Sequence, residues 1–127
     1  MNELEEKNIR MALDQFIEGL RTLDYVKISN RFYEHGLSIG VSNDEISYVL
    51  RDHWKEMKDQ KEAVGEKYID DEAQYKIEFL KILGNAATVI VELSFINNNK
   101  ITEKYTDFFH MLKVQEKWII VNKIYPT

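Results

Sequence analysis

Asp107 is the residue of this chain whose setting most invites chemistry. It stands in Tyr105-Thr106-Asp107-Phe108-Phe109, where Tyr105, Asp107, Phe109 and Met111 alternate onto one side of an extended strand. Beyond Gln115-Glu116, Trp118, Ile120, Asn122 and Ile124 alternate in the same way. A plain core face would be apolar throughout, and a solvent face would not carry a Trp and two Ile. Apolar walls with a carboxylate, an amide and a phenol converging inward are the makings of a small-molecule pocket. A carboxylate among Ile90, Phe109 and Ile124 holds its proton more tightly than in water, which suits a general acid or base. The structural alternative is that Asp107 accepts hydrogen bonds from loop backbone or from Arg31. Glu92, expected one strand away near Ile77 and Tyr105, could share acid and base roles with Asp107, or simply reach solvent.

Further ligand contacts would come from aromatic and polar side chains. Tyr33, Trp54, Tyr75 and Trp118, with Phe16 and Phe109, could stack on a flat ligand, although aromatics at such spacings also build ordinary cores. Tyr105 and Asn122 could orient a ligand by hydrogen bonds. His35, His53 and His110 lack the spacing of a metal site, so no metal is expected. Without cysteine there is no thiolate nucleophile, thiolate metal site or disulfide. The five glycines form no phosphate-binding or nucleophile-elbow motif, and no cofactor is expected.

These residues need elements to position them. Ile9, Leu13, Phe16, Ile17 and Leu20 recur at helical spacing behind Glu3, Glu5 and Glu6, which favour a helix start. Asp24 can cap a second short helix carrying Val26, Ile28, Phe32 and Tyr33. A break at His35-Gly36 precedes an extended segment, Leu37–Val41. Ser42 or Asn43 then caps a third helix to about Gln60, its stripe being Ile46, Val49, Leu50, Trp54 and Met57. Lys61–Asp71 reads as a polar connection with room for a short strand. A meander follows: Ala73–Leu83, Ala86–Ile96, Lys100–Val114 and Lys117–Tyr125, separated by Gly84-Asn85, the Asn97-Asn98-Asn99 run and Gln115-Glu116.

Two-residue turns fix a register, which a slip of one would invert. One face then holds Tyr75, Ile77, Phe79, Ile90, Glu92, Tyr105, Asp107, Phe109, Met111, Trp118, Ile120, Asn122 and Ile124. The other holds Leu80, Val89, Val91, Leu93, Phe95, Phe108, His110, Leu112, Ile119, Val121, Lys123 and Tyr125 among a rim of Lys and Glu. That second face is too apolar at its centre to stay in water, and it suits a homodimer interface.

Composition sets the class. The chain has 127 residues, enough for one domain spanning 1–127 with its own core. Net charge is −5, from 22 acidic and 17 basic residues, with no basic patch of the kind nucleic acid needs. The first residues lack a secretory pattern and no apolar run could span a bilayer, so neither membrane nor nucleic acid is an expected partner, and a cytoplasmic location is expected.

Three N-terminal helices packed on a strongly bent antiparallel sheet make an α+β cone. In that order of elements the chain resembles the nuclear transport factor 2-like superfamily, and within it the lumazine-binding-like, SnoaL-related group. The resemblance rests on Phe16-Ile17-Glu18-Gly19-Leu20, Phe32-Tyr33-Glu34-His35-Gly36, Tyr105-Thr106-Asp107-Phe108-Phe109 and Trp118-Ile119-Ile120-Val121-Asn122-Lys123-Ile124. It implies an acidic residue at the position of Asp107, which in some cyclases of the superfamily transfers a proton. A ketosteroid isomerase base would follow the second helix, where this chain has no Asp. Three functions are therefore expected in this order: a container for a small apolar or aromatic ligand, a cofactor-free isomerase, cyclase or dehydratase using Asp107, and a protein-interaction module.

Overall fold

The structure, a computed structural model, describes residues 3–63 and 72–126. Helix α1, Glu3–Thr22, carries its acids in the first turn and buries Ile9, Ala12, Leu13, Phe16 and Ile17 on one stripe. Helix α2, Tyr25–Arg31, is capped by the Asp24 carboxylate, which accepts from the Lys27 N–H at 3.4 Å. Strand β1, Phe32–Ser42, follows directly, so Phe32 and Tyr33 begin a strand instead of ending the helix. Phe32 pairs with Ile120, and regular pairing resumes only at Leu37, placing the irregularity at the expected His35-Gly36 break.

The expected long third helix is two elements. Glu45–Leu50 forms strand β2, paired antiparallel with β1, and helix α3 covers only Asp52–Ala63. Ile46, Val49 and Leu50 fit a helical stripe, but Ile46, Tyr48 and Leu50 also alternate with period two. The turn decides between these readings. Asn43 and Asp44 both take positive φ, 53° and 62°, the geometry of a tight hairpin. The anticipated connection lies mostly at 64–71, outside the described residues.

Strands β3 (Glu72–Leu83), β4 (Ala86–Asn97), β5 (Lys100–Val114) and β6 (Lys117–Ile124) form the expected meander. The six strands are ordered β2-β1-β6-β5-β4-β3, and β1 lies parallel to β6 while every other pair is antiparallel. The sheet is therefore mixed, with the last strand in its interior. All three expected turns are two residues long.

Three bulges, however, change the faces. Thr102 is an extra residue between the pairs Ile96–Ile101 and Phe95–Glu103, so Val89, Val91 and Leu93 of β4 face inward, opposite Phe109, Asp107 and Tyr105. Ile90 and Glu92 turn outward. Glu78 is extra on β3, which keeps Tyr75 and Ile77 inward beside Leu80 and Ile82 and turns Phe79 out. Val121 is extra on β6, so Lys123 lies opposite inward-facing Phe109, and Asn122 lies opposite His110. Leu80, Val89, Val91, Leu93, Phe95, Lys123 and Tyr125 therefore leave the face assigned to them by simple alternation, and Phe79, Ile90, Glu92, Asn122 and Ile124 leave theirs.

The core lies between the inner face and the helices. Ile9, Leu13, Phe16, Phe32, Val89, Val91, Phe109, Trp118 and Ile120 are essentially inaccessible. No described helix is long and apolar enough to cross a membrane.

Candidate functional site

The inner face divides along β5. Phe109 and Met111 are sealed in the core, Tyr105 is 47% exposed, and Asp107 between them is the first buried residue of the strand, 4% exposed. Below it the apolar wall is aromatic. Phe16 stacks on Phe32 at 5.5 Å between centroids and meets Phe109 edge-on at 6.0 Å, and Trp54 of α3 closes on Phe32 at 5.1 Å.

The partner of Asp107 is Lys123. Its ammonium stands 3.5 Å from Asp107 Oδ2, and the two side chains are only 12% and 6% exposed. Lys123 Nζ also lies 5.2 Å from the centre of the Tyr125 ring. Gly40 of β1 makes room for that ring, since a Cβ there would come within 2.4 Å of Tyr125 Cε2. The Tyr125 N–H donates to the Ile39 carbonyl at 3.1 Å, which ties the chain end to β1. A carboxylate, an ammonium and a phenol ring thus meet at the edge of an aromatic wall.

Burial raises the proton affinity of Asp107 above the ordinary carboxylate range, and the Lys123 charge and hydrogen bond only partly oppose it. The pair is chemically versatile. Asp107 can accept or return a proton, and Lys123 supplies N–H donors that could hold an anionic or carbonyl oxygen.

Of the residues singled out by sequence, Asp107, Phe109, Trp54 and Trp118 line or back this wall. Trp118 is 1% exposed, and its indole N–H has no hydrogen-bond partner among the described residues. Tyr75 is on the inner face but is engaged by α1: its hydroxyl donates to Asp14 Oδ1 at 2.5 Å and lies 3.2 Å from the Arg10 carbonyl. Burial, then Asp14, pushes its phenol well above the usual range. Tyr105 turns its hydroxyl to Glu103, and that contact, followed by burial, raises its phenol as well.

The remaining residues lie elsewhere. Glu92 is on the outer face, paired with Lys104 at 3.2 Å, so it does not join Asp107. Asn122 is also on the outer face, and its Oδ1 is buried without a partner among the described residues. Tyr33 is 48% exposed against His35 at the start of β1. Arg31, the alternative partner for Asp107, instead donates to Gln15 at 2.7 Å and to the Trp118 carbonyl at 3.3 Å.

Lys123, Tyr125 and Gly40 escaped sequence reasoning because the Val121 bulge is invisible to strict alternation. One signal was available: Asn122-Lys123 puts two polar residues side by side late in an apolar strand. No group of three metal-ligating side chains gathers among the described residues.

Cavities among the described residues also lie outside the aromatic wall, the smallest of the three described being about 380 Å³ against β3, β4 and β5. An open cleft of about 580 Å³ separates α1, α2 and β3, and a groove of about 540 Å³ runs between the α2–β1 junction and the outer face of β5 and β6.

Comparison with known proteins places this architecture. The chain is similar to an NTF-2-like protein of unknown function from Silicibacter pomeroyi DSS-3, 17% identical with a TM-score of 0.76 over 98% of both chains. It is similar to an NTF2-like protein of unknown function from Shewanella baltica OS155, 24% identical with a TM-score of 0.71 over 98% of this chain and 95% of that one. A domain of unknown function with a cystatin-like fold from Nostoc punctiforme PCC 73102 is 15% identical, with a TM-score of 0.74 over 99% of this chain and 78% of that one. Identities this low show the fold alone. No curated protein matches. The family described as "Putative lumazine-binding" matches residues 4–126. With that match over nearly its whole length the chain belongs to this family, and its three helices on a mixed sheet have the fold of the NTF2-like proteins.

Proposed function

We propose that the protein binds a small, largely apolar or aromatic molecule on the inner face of its sheet, anchored at a polar group by Asp107 and Lys123. One observation carries this reading: a nearly buried ion pair stands at the boundary between a sealed aromatic core and exposed Tyr105. Buried ion pairs contribute little net stability compared with apolar packing, so their use is to be sought in recognition or chemistry. The family's name makes lumazine one compound to test.

A second reading has its own support. The raised proton affinity of Asp107 suits a cofactor-free isomerase, cyclase or dehydratase in which Asp107 shuttles a proton and Lys123 steadies an oxyanion.

The protein acts as a homodimer through its outer sheet face in this reading. Tyr48, Ile39, Ile124, Phe108, Ile90 and Phe79 form one apolar row of successive cross-strand partners over all six strands. Tyr48 is 60% exposed, and a second copy is the occupant whose matching row would cover this one by two-fold symmetry. A partner of another sequence is the competing occupant. The cysteine-free composition is compatible with the reducing cytoplasm, the compartment this reading assigns.

Native mass spectrometry of freshly purified protein, repeated after denaturation, tests these points together. A dimer releasing a non-covalent small molecule that D107N and K123M fail to retain is the expected result. A molecule retained equally by both variants would exclude the ion pair as the anchor. An empty dimer favours the enzymatic reading, and an empty monomer removes the dimer face.

A further inference from the structure

We infer a second binding site, for a small amphipathic carboxylate with an alkyl or aryl body, in the outer groove beside α2. Its floor is aliphatic: Leu112 and Val114 of β5 and Ile119 and Val121 of β6. Tyr33 and Arg51 also line the groove. An apolar lining with a few convergent polar groups is the usual build of a small-molecule site.

Arg51 specifies the charge of the occupant. Its guanidinium donates to the Tyr25 hydroxyl at 3.2 Å and to the Ser29 and Phe32 carbonyls at 3.4 and 3.2 Å. It also lies 5.8 Å from the centre of the Tyr25 ring. Every one of these partners is neutral, and no ion pair among the described residues includes Arg51. The Tyr25 hydroxyl in turn donates to the Asp52 carboxylate, so a negative charge lies one hydrogen bond further along, but none touches the guanidinium itself, which is held in place against the α2–β1 junction with no carboxylate in direct contact. A fixed, partly buried guanidinium beside an apolar floor calls for an anion, and its planar fork matches a carboxylate. Glu34 also lines the groove and disfavours an anion seated beside it, which leaves Arg51 as the cationic group available to anchor one.

The groove does not depend on the homodimer row. Leu112 and Val114 lie four and six residues along β5 from Phe108, roughly 13–20 Å at about 3.3 Å per residue. The site is also distinct from the ion pair, since Leu112 and Val121 face away from Asp107.

The test is an NMR titration of ¹⁵N-labelled full-length protein with sodium octanoate, and with octan-1-ol as its uncharged counterpart. Octanoate is expected to give saturable shifts at Tyr33, Val114 and Ile119, with octanol about tenfold or more weaker. Arg51→Gln should weaken octanoate by a similar factor. Because Arg51 also braces the α2–β1 turn, Val114→Asp provides a second variant at an exposed position, placing a competing carboxylate on the floor without touching Arg51. It should likewise abolish tight octanoate binding. Equal affinity for octanol and octanoate, full binding by Val114→Asp, or shifts gathered around Asp107 would each overturn the proposal. Absence of octanoate shifts, with groove signals moving only with protein concentration, would assign the groove to a second copy of the chain.

Discussion

Replacing Lys123 with methionine leaves the Asp107 carboxylate alone on an apolar face, and the consequence can be worked out from the pair's geometry. At 3.5 Å the two charges attract by about 5 kcal/mol at an effective dielectric near 20. Taking each ion out of water costs several kcal/mol, so the intact pair is close to neutral in net stability. Removing one member cancels the attraction and leaves the desolvation of the other, a loss of about 3–5 kcal/mol. The loss should depend on pH with a definite sign. Burial already makes folded Asp107 bind its proton more tightly than the unfolded chain does. Between those two proton affinities the folded state holds more protons, so stability falls as pH rises through the window. Without Lys123 the upper edge moves higher, and K123M should lose most near about pH 7 and least toward about pH 4. Urea unfolding of wild type, K123M, D107L and D107L/K123M at both pH values gives the full cycle. The double variant should recover to wild-type stability or slightly above. A K123M loss below about 1 kcal/mol with no pH dependence would refute the reasoning, because that is how an exposed, weakly coupled pair behaves.

Four further outcomes follow from the fold. Gly40→Ala should cost about 1–3 kcal/mol by pushing the Tyr125 ring off β1, and thermal melts should show a smaller cost when Tyr125 is also alanine. Gln115 and Glu116 both adopt positive φ, 50° and 65°, so Q115N/E116G should raise the denaturation midpoint by the equivalent of about 1 kcal/mol. Phe108→Asp should yield a folded monomer in sedimentation experiments, whereas Val91→Asp, at a position with no exposure, should unfold the chain as read by circular dichroism. The Tyr75 phenol is raised on folding, so stability should decline as pH climbs above the ordinary tyrosine range, and Tyr75→Phe should lessen that decline, leaving the smaller share of Tyr105, while costing about 1 kcal/mol at neutral pH.

The meander, its turns, the first two helices and the inward placement of Asp107 were legible because each rests on local chemistry. Asp24 caps a helix and Asn98-Asn99 makes a tight turn whatever lies around them. The β1–β2 hairpin was not legible, since Glu45–Leu50 satisfies helical and strand periodicities alike and only the backbone angles at Asn43-Asp44 separate them. Half of the candidate site was missed for a different reason. Strict alternation is correct from each turn until the first bulge and inverted after it, which exchanged Lys123 for Asn122 beside Asp107 and placed Glu92 wrongly on the inner face. Bulges answer to the curvature the sheet needs over its helices, a property of the whole assembly that no short window of sequence contains.

Thr102 shows what this means for tolerance to change. It is exposed, and its hydroxyl makes a hydrogen bond to the Phe95 carbonyl at 3.3 Å, a contact whose loss a stable fold can absorb. Loss of that one hydrogen bond should therefore be tolerated at this position. Deleting it is another matter, for the count between the Asn98-Asn99 turn and Asp107 would then be one short. Val89, Val91 and Leu93 would be driven outward and Ile90 and Glu92 inward, or the turn would have to rebuild itself. What the position supplies is a place in a count more than a side chain. Relatives that differ by one residue within this strand should carry compensating changes at the hairpin end and not around the ion pair.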